Sequence, residues 1–374
     1  MSDSKKPSHR YKPLRIGFDG TALFRRMDGV GRYTYNLIDS YAKSYPDDTI
    51  VVVGFMSDDT HMIERLLASH TNISFTAIPI PRKVYQGIFS RIVRIPLNIF
   101  VPALDYYVST NFVQYPYLTN IRSLTVIHDL AYIRHPEWIE RRNLSYLRKH
   151  VPKIVQSSET IAPSEFTKGE IESLLAPPNS VHIVSNGISA LFTPPSNDAR
   201  SNFILAVGTL EPRKNLERLL VAYASLPEKL QEEHPLVVIG KGGWGGVRPK
   251  PLKHVTYTGH IDDDELVRRY QTTKLFVFPS LYEGFGLPVI EAMATHAPVA
   301  CSDIPPLRSL AKDYAVYFNP LDVASIRDTL YTALTAKSKI PAPTNVKLCT
   351  WDDSAKQLRK AILAVGNYSS NSAE

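Results

Sequence analysis

The sequence predicts an α/β protein built from two doubly wound, Rossmann-like domains facing each other across a cleft. Three observations carry this. Short apolar runs alternate with amphipathic stretches along the whole chain, as buried parallel strands and their crossover helices are written. At 374 residues the chain is too long for one ordinary core. A connector rich in Pro, Ser and Asn, residues 189–201, interrupts the pattern near its middle. The expected domains are therefore 1–188 and 202–350, with a closing helical segment at 351–374.

After a polar tail, Leu14 to Phe18 reads as the first strand. Asp28 to Ile38 reads as a glycine loop, containing Gly29 and Gly31, that passes into a helix with Tyr33, Leu37 and Tyr41 on one face. The third glycine of G-x-G-x-x-G is missing, so a dinucleotide-dependent oxidoreductase is disfavoured. Ile50 to Phe55 is a second buried strand, followed by a helix around Ile63 to Leu67. The stretch Arg65 to Leu104 contains no acidic residue, and Arg82 to Arg94 lies within it. There Val84, Ile88 and Ile92 recur among four basic side chains. An interfacial basic helix is written this way, and so is a core-facing helix with a basic outer face.

Tyr106 to Thr110 and Leu124 to Ile127 are further strands, and the second runs directly into His128. A residue at the carboxyl end of a parallel strand stands where doubly wound sheets place ligands. Thr160 opens a strand that leads to a helix start, with Ser164 as its N-cap. In the second half, Phe203 to Asn215 reads as strand, turn and helix mouth. Arg213 and Lys214 at that mouth suit a diphosphate, one as a planar fork and one as a point charge. Leu236 to Gly246 is a strand and glycine loop without G-x-x-x-x-G-K-[ST] spacing, which disfavours a P-loop NTPase. Asp262, Asp263 and Asp264 invite a metal reading, but acids before Leu266, Val267 and Tyr270 fit a helix N-terminus better.

Leu275 to Phe278 is a strand apolar on both faces, stopped by Pro279. Gly284 and Gly286 allow a tight loop, and Pro288 suits the first position of a helix running through Met293. Strand, loop and helix N-terminus together make an anion site. Glu283 and Glu291 bracket it, and carboxylates there suit hydroxyl-rich groups flanking a phosphate. Ala297 to Cys301 is a last strand, and helices near Val323 to Leu334 and Ser354 to Val365 close the chain.

Composition narrows the class. With 44% hydrophobic and 21% charged residues, the chain reads as a globular enzyme. No apolar run approaches a membrane span. The polar start has no signal core, and Cys301 and Cys349 form no disulfide framework or zinc pattern, so a cytoplasmic setting is expected. The first 185 residues carry 22 Lys and Arg against 17 Asp and Glu, and the remainder 21 against 19. No nucleic-acid module accompanies this excess, which leaves anionic lipid or a phosphorylated substrate as the partner.

The string Glu283-Gly-Phe-Gly-Leu-Pro-Val-Ile-Glu291, with Phe-Pro-Ser before it and Ala-Met-Ala after it, resembles the E-x7-E signature of the retaining glycosyltransferases of family 4. Their fold is GT-B. Ile127-His-Asp-Leu-Ala-Tyr132, Asn186-Gly187 and Glu211-Pro-Arg-Lys-Asn215 extend the resemblance, which runs in order from Ile16 to Tyr317. It implies that Glu283 holds donor-sugar hydroxyls, Glu291 the ribose, and that Gly284, Phe285, Gly286 and Leu287 line the diphosphate and sugar. It also places Gly29 and Gly31 toward the donor phosphates and His128 over the donor sugar, with His128 and Glu283 as the catalytic pair. One position departs from the pattern: Thr209 stands where an Arg is common, so Arg213 is expected to substitute beside the retained Lys214.

The resemblance thus implies a metal-independent, cofactor-free, retaining transfer of a hexose, mannose first. The donor is GDP-mannose or a UDP-hexose. The acceptor is a glycan or polyprenyl-diphosphate-linked glycan in cell-surface polysaccharide assembly, met in the cytoplasm or peripherally at the membrane's cytoplasmic face. The final helix is expected to cross back to the first domain. Two rivals stand beside this reading. A non-catalytic GT-B partner subunit predicts loss of Glu283, Glu291, Lys214 or His128, and all four are present. A sugar-nucleotide epimerase on the same fold would reveal itself by its product without acceptor.

Overall fold

The computed structural model describes residues 12–24, 29–56, 60–81, 84, 97–112, 121–197, 200–243, 251–335 and 346–367. The first half contains β1 (Arg15–Asp19), α1 (Gly29–Ser44), β2 (Thr49–Phe55), α2 (His61–Ser69), β3 (Ile73–Ile78), β4 (Tyr106–Ser109) and β5 (Arg122–Val126). Next come α3 (Ala131–Arg134), α4 (Arg141–Ser157), β6 (Glu159–Ala162), α5 (Glu165–Leu175) and β7 (His182–Ile183). The second half begins with β8 (Ile204–Val207), α6 (Leu216–Ala224), α7 (Glu228–Glu233), β9 (Leu236–Ile239), β10 (Val255–Gly259) and α8 (Asp263–Thr272). It ends with β11 (Leu275–Phe278), α9 (Leu287–Ala294), β12 (Val299–Ser302), α10 (Pro305–Ala311), β13 (Ala315–Phe318), α11 (Val323–Thr335) and α12 (Trp351–Asn367).

Two parallel sheets result, ordered β3-β2-β1-β4-β5-β6-β7 and β10-β9-β8-β11-β12-β13. Each contains the order 3-2-1-4-5-6 of a doubly wound sheet, in which ligands sit beyond the carboxyl ends of the strands where the order reverses. In the second sheet that point lies between β8 and β11, which pair in parallel at Leu275 with Ile204. The α/β class read from the sequence is the class observed.

Contacts gather the chain into two compact units, one of residues 1–126, 158–160 and 358–374, the other of 127–157 and 161–357. In the first, Tyr33, Leu37 and Tyr41 are all buried, as their helical spacing predicts. Asp48 accepts from the Tyr41 hydroxyl at 3.0 Å and pairs with Arg359 of α12. In the second, the six-stranded sheet carries an apolar layer on each face. One includes Leu219, Leu220 and Tyr223 of α6 with Ile326 and Leu330 of α11. The other includes Leu266 and Tyr270 of α8 with Val289 and Met293 of α9.

Three features differ from the sequence expectation. Gly29 is already helical, so Gly31 stands in the first turn of α1 rather than in a loop. Helix α4 runs through Pro152, whose missing N–H and bulky ring make a helix hard to foresee there. Strands β3 and β13 are sheet edges with half-exposed residues, and they lack the buried apolar run that marks a central strand. Of the basic segment Arg82 to Arg94, all but Val84 lies outside the described residues. Among the described residues, no helix is long and apolar enough to cross a membrane.

Candidate active site

Strand β11 is buried at every position and ends at Pro279. The chain then turns into α9 through Gly286, whose φ of 107° and ψ of 47° belong to the left-handed region that glycine adopts without strain. Pro288 follows in the first turn of α9, as its fixed φ suits. This places Glu283 before the turn and Glu291 within the helix, and both side chains are buried. Buried carboxylates need partners. For Glu291, the Tyr270 hydroxyl of α8 donates to Oε2 at 3.0 Å.

Glu283 is met from the turn after β8. A short 3-10 segment, Pro212–Lys214, ends at Asn215, which takes the left-handed conformation with φ 56° and ψ 30°. The Asn215 amide donates to the carbonyls of Pro279, at 3.0 Å, and Pro320, at 2.8 Å. Leu281 N–H donates to the Arg213 carbonyl at 2.8 Å. These bonds pin the two turns together and aim both cations at one carboxylate. Lys214 Nζ donates to Glu283 Oε1 at 2.5 Å, and Arg213 Nη1 to Oε2 at 2.9 Å. Arg213 Nε also reaches Glu211 Oε1 at 2.6 Å.

Burial by itself would raise the Glu283 carboxyl, but the charges of Arg213 and Lys214 outweigh it and hold the group at about 2. Burial lowers Lys214, with Arg213 adding to the effect. Burial raises Glu211 despite its two basic neighbours. The four charges Arg213, Lys214, Glu211 and Glu283 sum formally to zero, which makes their burial tolerable. Thr209, Lys214, Phe278, Pro279 and Ser280 line one small crevice at the carboxyl ends of β8 and β11, the reversal point of the sheet. The cations expected on a phosphate are therefore beside that crevice, already paired to Glu283.

The turn after β5 approaches the glycine loop from another side. A methyl group on Gly284 would stand 1.9 Å from the His128 carbonyl oxygen, so only glycine permits the contact. The Gly284 carbonyl accepts from Ser164 Oγ at 2.6 Å and from Thr167 Oγ1 at 3.0 Å. Ser164 is the N-cap of α5 that the sequence predicts, taking the Thr167 N–H at 3.1 Å. Next to Glu283, the Tyr282 hydroxyl donates to Glu170 of α5 and accepts from Leu130 N–H at 3.1 Å. Glu170 Oε1 accepts from Arg134 Nε at 2.7 Å.

Among the expected site residues, the second unit thus brings together His128, Arg213, Lys214, Glu283 and Gly284. Thr209 lines the crevice, while Phe285, Gly286 and Leu287 continue the loop into α9, which carries Glu291. Gly29 and Gly31 belong to the first unit. Sequence reasoning missed Glu211, Asn215, Tyr270, Tyr282, Glu170 and Arg134. Glu211 and Asn215 flank the cations it did find, but nothing local distinguishes Glu170 from a surface acid. Asp262 caps α8, accepting from Glu265 N–H at 2.8 Å, as the helix-terminus reading expected. Among the described residues, no group of three or more His, Cys, Asp or Glu is placed to hold a metal ion.

Residues 189–342 match the family profile described as glycosyl transferases group 1. Over 225 residues the chain is 31% identical to O-antigen chain mannosyltransferase B of Escherichia coli, covering 55% of this chain and 59% of that protein. Over 147 residues it is 40% identical to the serotype-specific mannosyltransferase WbdA of Escherichia coli, covering 36% of this chain and 17% of that protein. The matches therefore span less than two thirds of either relative's length. Among solved structures, sucrose-phosphate synthase from Thermosynechococcus elongatus superposes with a TM-score of 0.67 at 17% identity, over 96% of this chain and 98% of that one. Anabaena HepE, solved with UDP and glucose, gives 0.65 at 15% identity, over 96% of this chain and all of its own (100%). At such identities the likeness is one of fold, and the fold is GT-B.

Proposed function

We propose that this chain, whose residues 189–342 form a glycosyl transferases group 1 domain, transfers a hexose from a nucleotide-diphosphate sugar to a glycan acceptor. The observation that carries the reading is Glu283, buried and ionised between Lys214 and Arg213 beside the crevice at the reversal point of the sheet. A donor diphosphate in that crevice shares the N–H groups of Lys214 with Glu283, and the positive end of α9 faces the same loop. Charge that builds on the leaving phosphate is met by these fixed groups rather than by a metal. The sugar, turning cationic, lies between the Glu283 carboxylate and the backbone at His128. Acceptor attack from the face the phosphate leaves keeps the anomeric configuration, and the acceptor proton passes to the departing phosphate oxygen.

Mannose is the preferred sugar because the named Escherichia coli relatives are mannosyltransferases. GDP-mannose is accordingly the first donor, with UDP-hexoses next. A polyprenyl-diphosphate-linked glycan suits the acceptor, since one relative acts on an O-antigen chain. Helix α4 supports work at the cytoplasmic face of a membrane. Arg142, Lys149 and Lys153 share its outward face, Arg141 and Arg148 flank them, and all five are exposed. The helix contains no acidic residue, and none of the five forms an ion pair among the described residues.

The test is a thermal-shift panel of GDP, UDP and their sugars, followed by NMR of the product. The expected result is stabilisation by GDP-mannose through mass action and an α-linked mannoside from the α-configured donor. A β-linked product overturns retention. Stabilisation by UDP-hexoses alone overturns the donor. A changed sugar nucleotide without acceptor points to an epimerase.

A further inference from the structure

Glu283 is held by both of its neighbours in the chain. On one side, the Tyr282 hydroxyl uses its proton on Glu170 and a lone pair on Leu130 N–H, reaching residues 112 and 152 positions away. On the other, the Gly284 carbonyl is clamped by Ser164 and Thr167, and its Cα abuts the His128 carbonyl. Glu170 is itself fixed by Arg134, four residues beyond Leu130.

We propose that Tyr282, Glu170 and Arg134 are positioning residues, which hold the His128 turn at one fixed distance from the loop carrying Glu283. The proposal rests on the roles given to His128 and Glu283 in the preceding reading. Packing alone does not explain the three side chains, because phenylalanine would fill the space of Tyr282 and leucine much of that of Glu170. A buried hydroxyl and a buried carboxylate are tolerated only when their hydrogen bonds are made, and these bonds are made to two different segments of the second unit. Burial, then Asp129 and Glu170, pushes the Tyr282 hydroxyl above its ordinary range. A carboxylate and a backbone turn that must act on either side of one sugar gain from a rigid frame, since small misplacements of reacting groups cost large factors in rate.

The experiment is hydrogen exchange by mass spectrometry on the full chain, joined to kinetics, for wild type, Tyr282→Phe, Glu170→Gln and Glu170→Leu. Tyr282→Phe is expected to speed exchange about tenfold in peptides spanning 127–134 and 281–287, the factor for one lost hydrogen bond, with β11 and α6 unchanged. Turnover of GDP-mannose is expected to fall by about tenfold or more while donor KM and GDP affinity stay within about twofold. Glu170→Gln keeps an oxygen for the tyrosine proton and restores most of the protection, whereas Glu170→Leu does not. Unchanged exchange in both peptides overturns the proposal. So does exchange that rises throughout the second unit with a matching fall in Tm, which marks a merely structural role. Local loosening with unchanged kcat overturns it as well. If wild type does not turn over GDP-mannose, the donor reading fails, and the exchange pattern still decides whether the frame exists.

Discussion

The Lys214 ammonium donates to Glu283 Oε1 at 2.5 Å while standing 4.9 Å over the Phe278 ring. One cation thus serves a carboxylate, an aromatic face and the crevice beside them. With Arg213 on the other carboxylate oxygen, the pair stays buried without an uncompensated charge, and a phosphate entering the crevice meets donors that are already oriented.

That arrangement sets a pH signature. Glu283 is held at about 2 against an ordinary value of 4.5. Its folded value lies below its unfolded one, so its stabilisation is present above about pH 4.5 and fades as pH falls toward 2. Glu283→Gln leaves two buried cations short of a partner and is expected to cost about 3–5 kcal/mol at pH 7. The gap in Tm from wild type should narrow steadily below pH 4.5. A gap independent of pH would mean that Glu283 is not the anion of this cluster.

Glu291→Ala is expected to weaken nucleotide binding about ten- to hundredfold, by removing hydrogen bonds to a ribose diol worth about 1–3 kcal/mol. Tyr270→Phe takes one orienting bond from the same carboxylate and should weaken binding less. Calorimetry with GDP decides it. Equal affinity for wild type and Glu291→Ala removes Glu291 from the donor site.

Gly284→Ala sets a methyl group against the His128 carbonyl at 1.9 Å, a contact that only backbone movement relieves. We expect it to abolish turnover and lower Tm. Gly169→Ala, within α5 and with nothing near the added methyl, should instead raise stability by about 0.5–1 kcal/mol. Equal behaviour of the two variants in thermal melts and assays would contradict the close approach.

Turnover is expected to survive excess EDTA, because in the proposed reading the diphosphate charge is met by Lys214 and Arg213, which pair with Glu283, and by the start of α9 rather than by a metal. Assays with EDTA, and then with added magnesium or manganese, check this. Loss with EDTA and recovery with a divalent ion would defeat metal independence.

The exposed cations of α4 should hold the protein to anionic vesicles at low salt, each contributing about 1 kcal/mol near the surface. Co-sedimentation of wild type is compared with a variant carrying Arg142→Ser, Lys149→Ser and Lys153→Ser. Equal binding by both proteins, or none by either, excludes this face.

By itself, the sequence determined many of the elements and where along them the candidate site residues stand. Leu275 to Phe278 had to be a buried strand, Gly286 and Pro288 had to turn it into a helix, and Ser164 and Asp262 had to cap the helices behind them. Those outcomes depend on side chains a few residues apart, through periodicity, φ preference and local hydrogen bonds. Pattern alone also put Glu283, Glu291, Arg213 and Lys214 on the ligand end of their sheet. Only the tertiary structure decided that the two cations close on Glu283, that Tyr282 reaches Glu170 across 112 residues, and that the His128 carbonyl leaves no room for a side chain at 284. Partners so distant are chosen by the parallel sheet and its crossovers. Those connections bring the ends of remote strands to one edge, and no local pattern records which buried charge will face which.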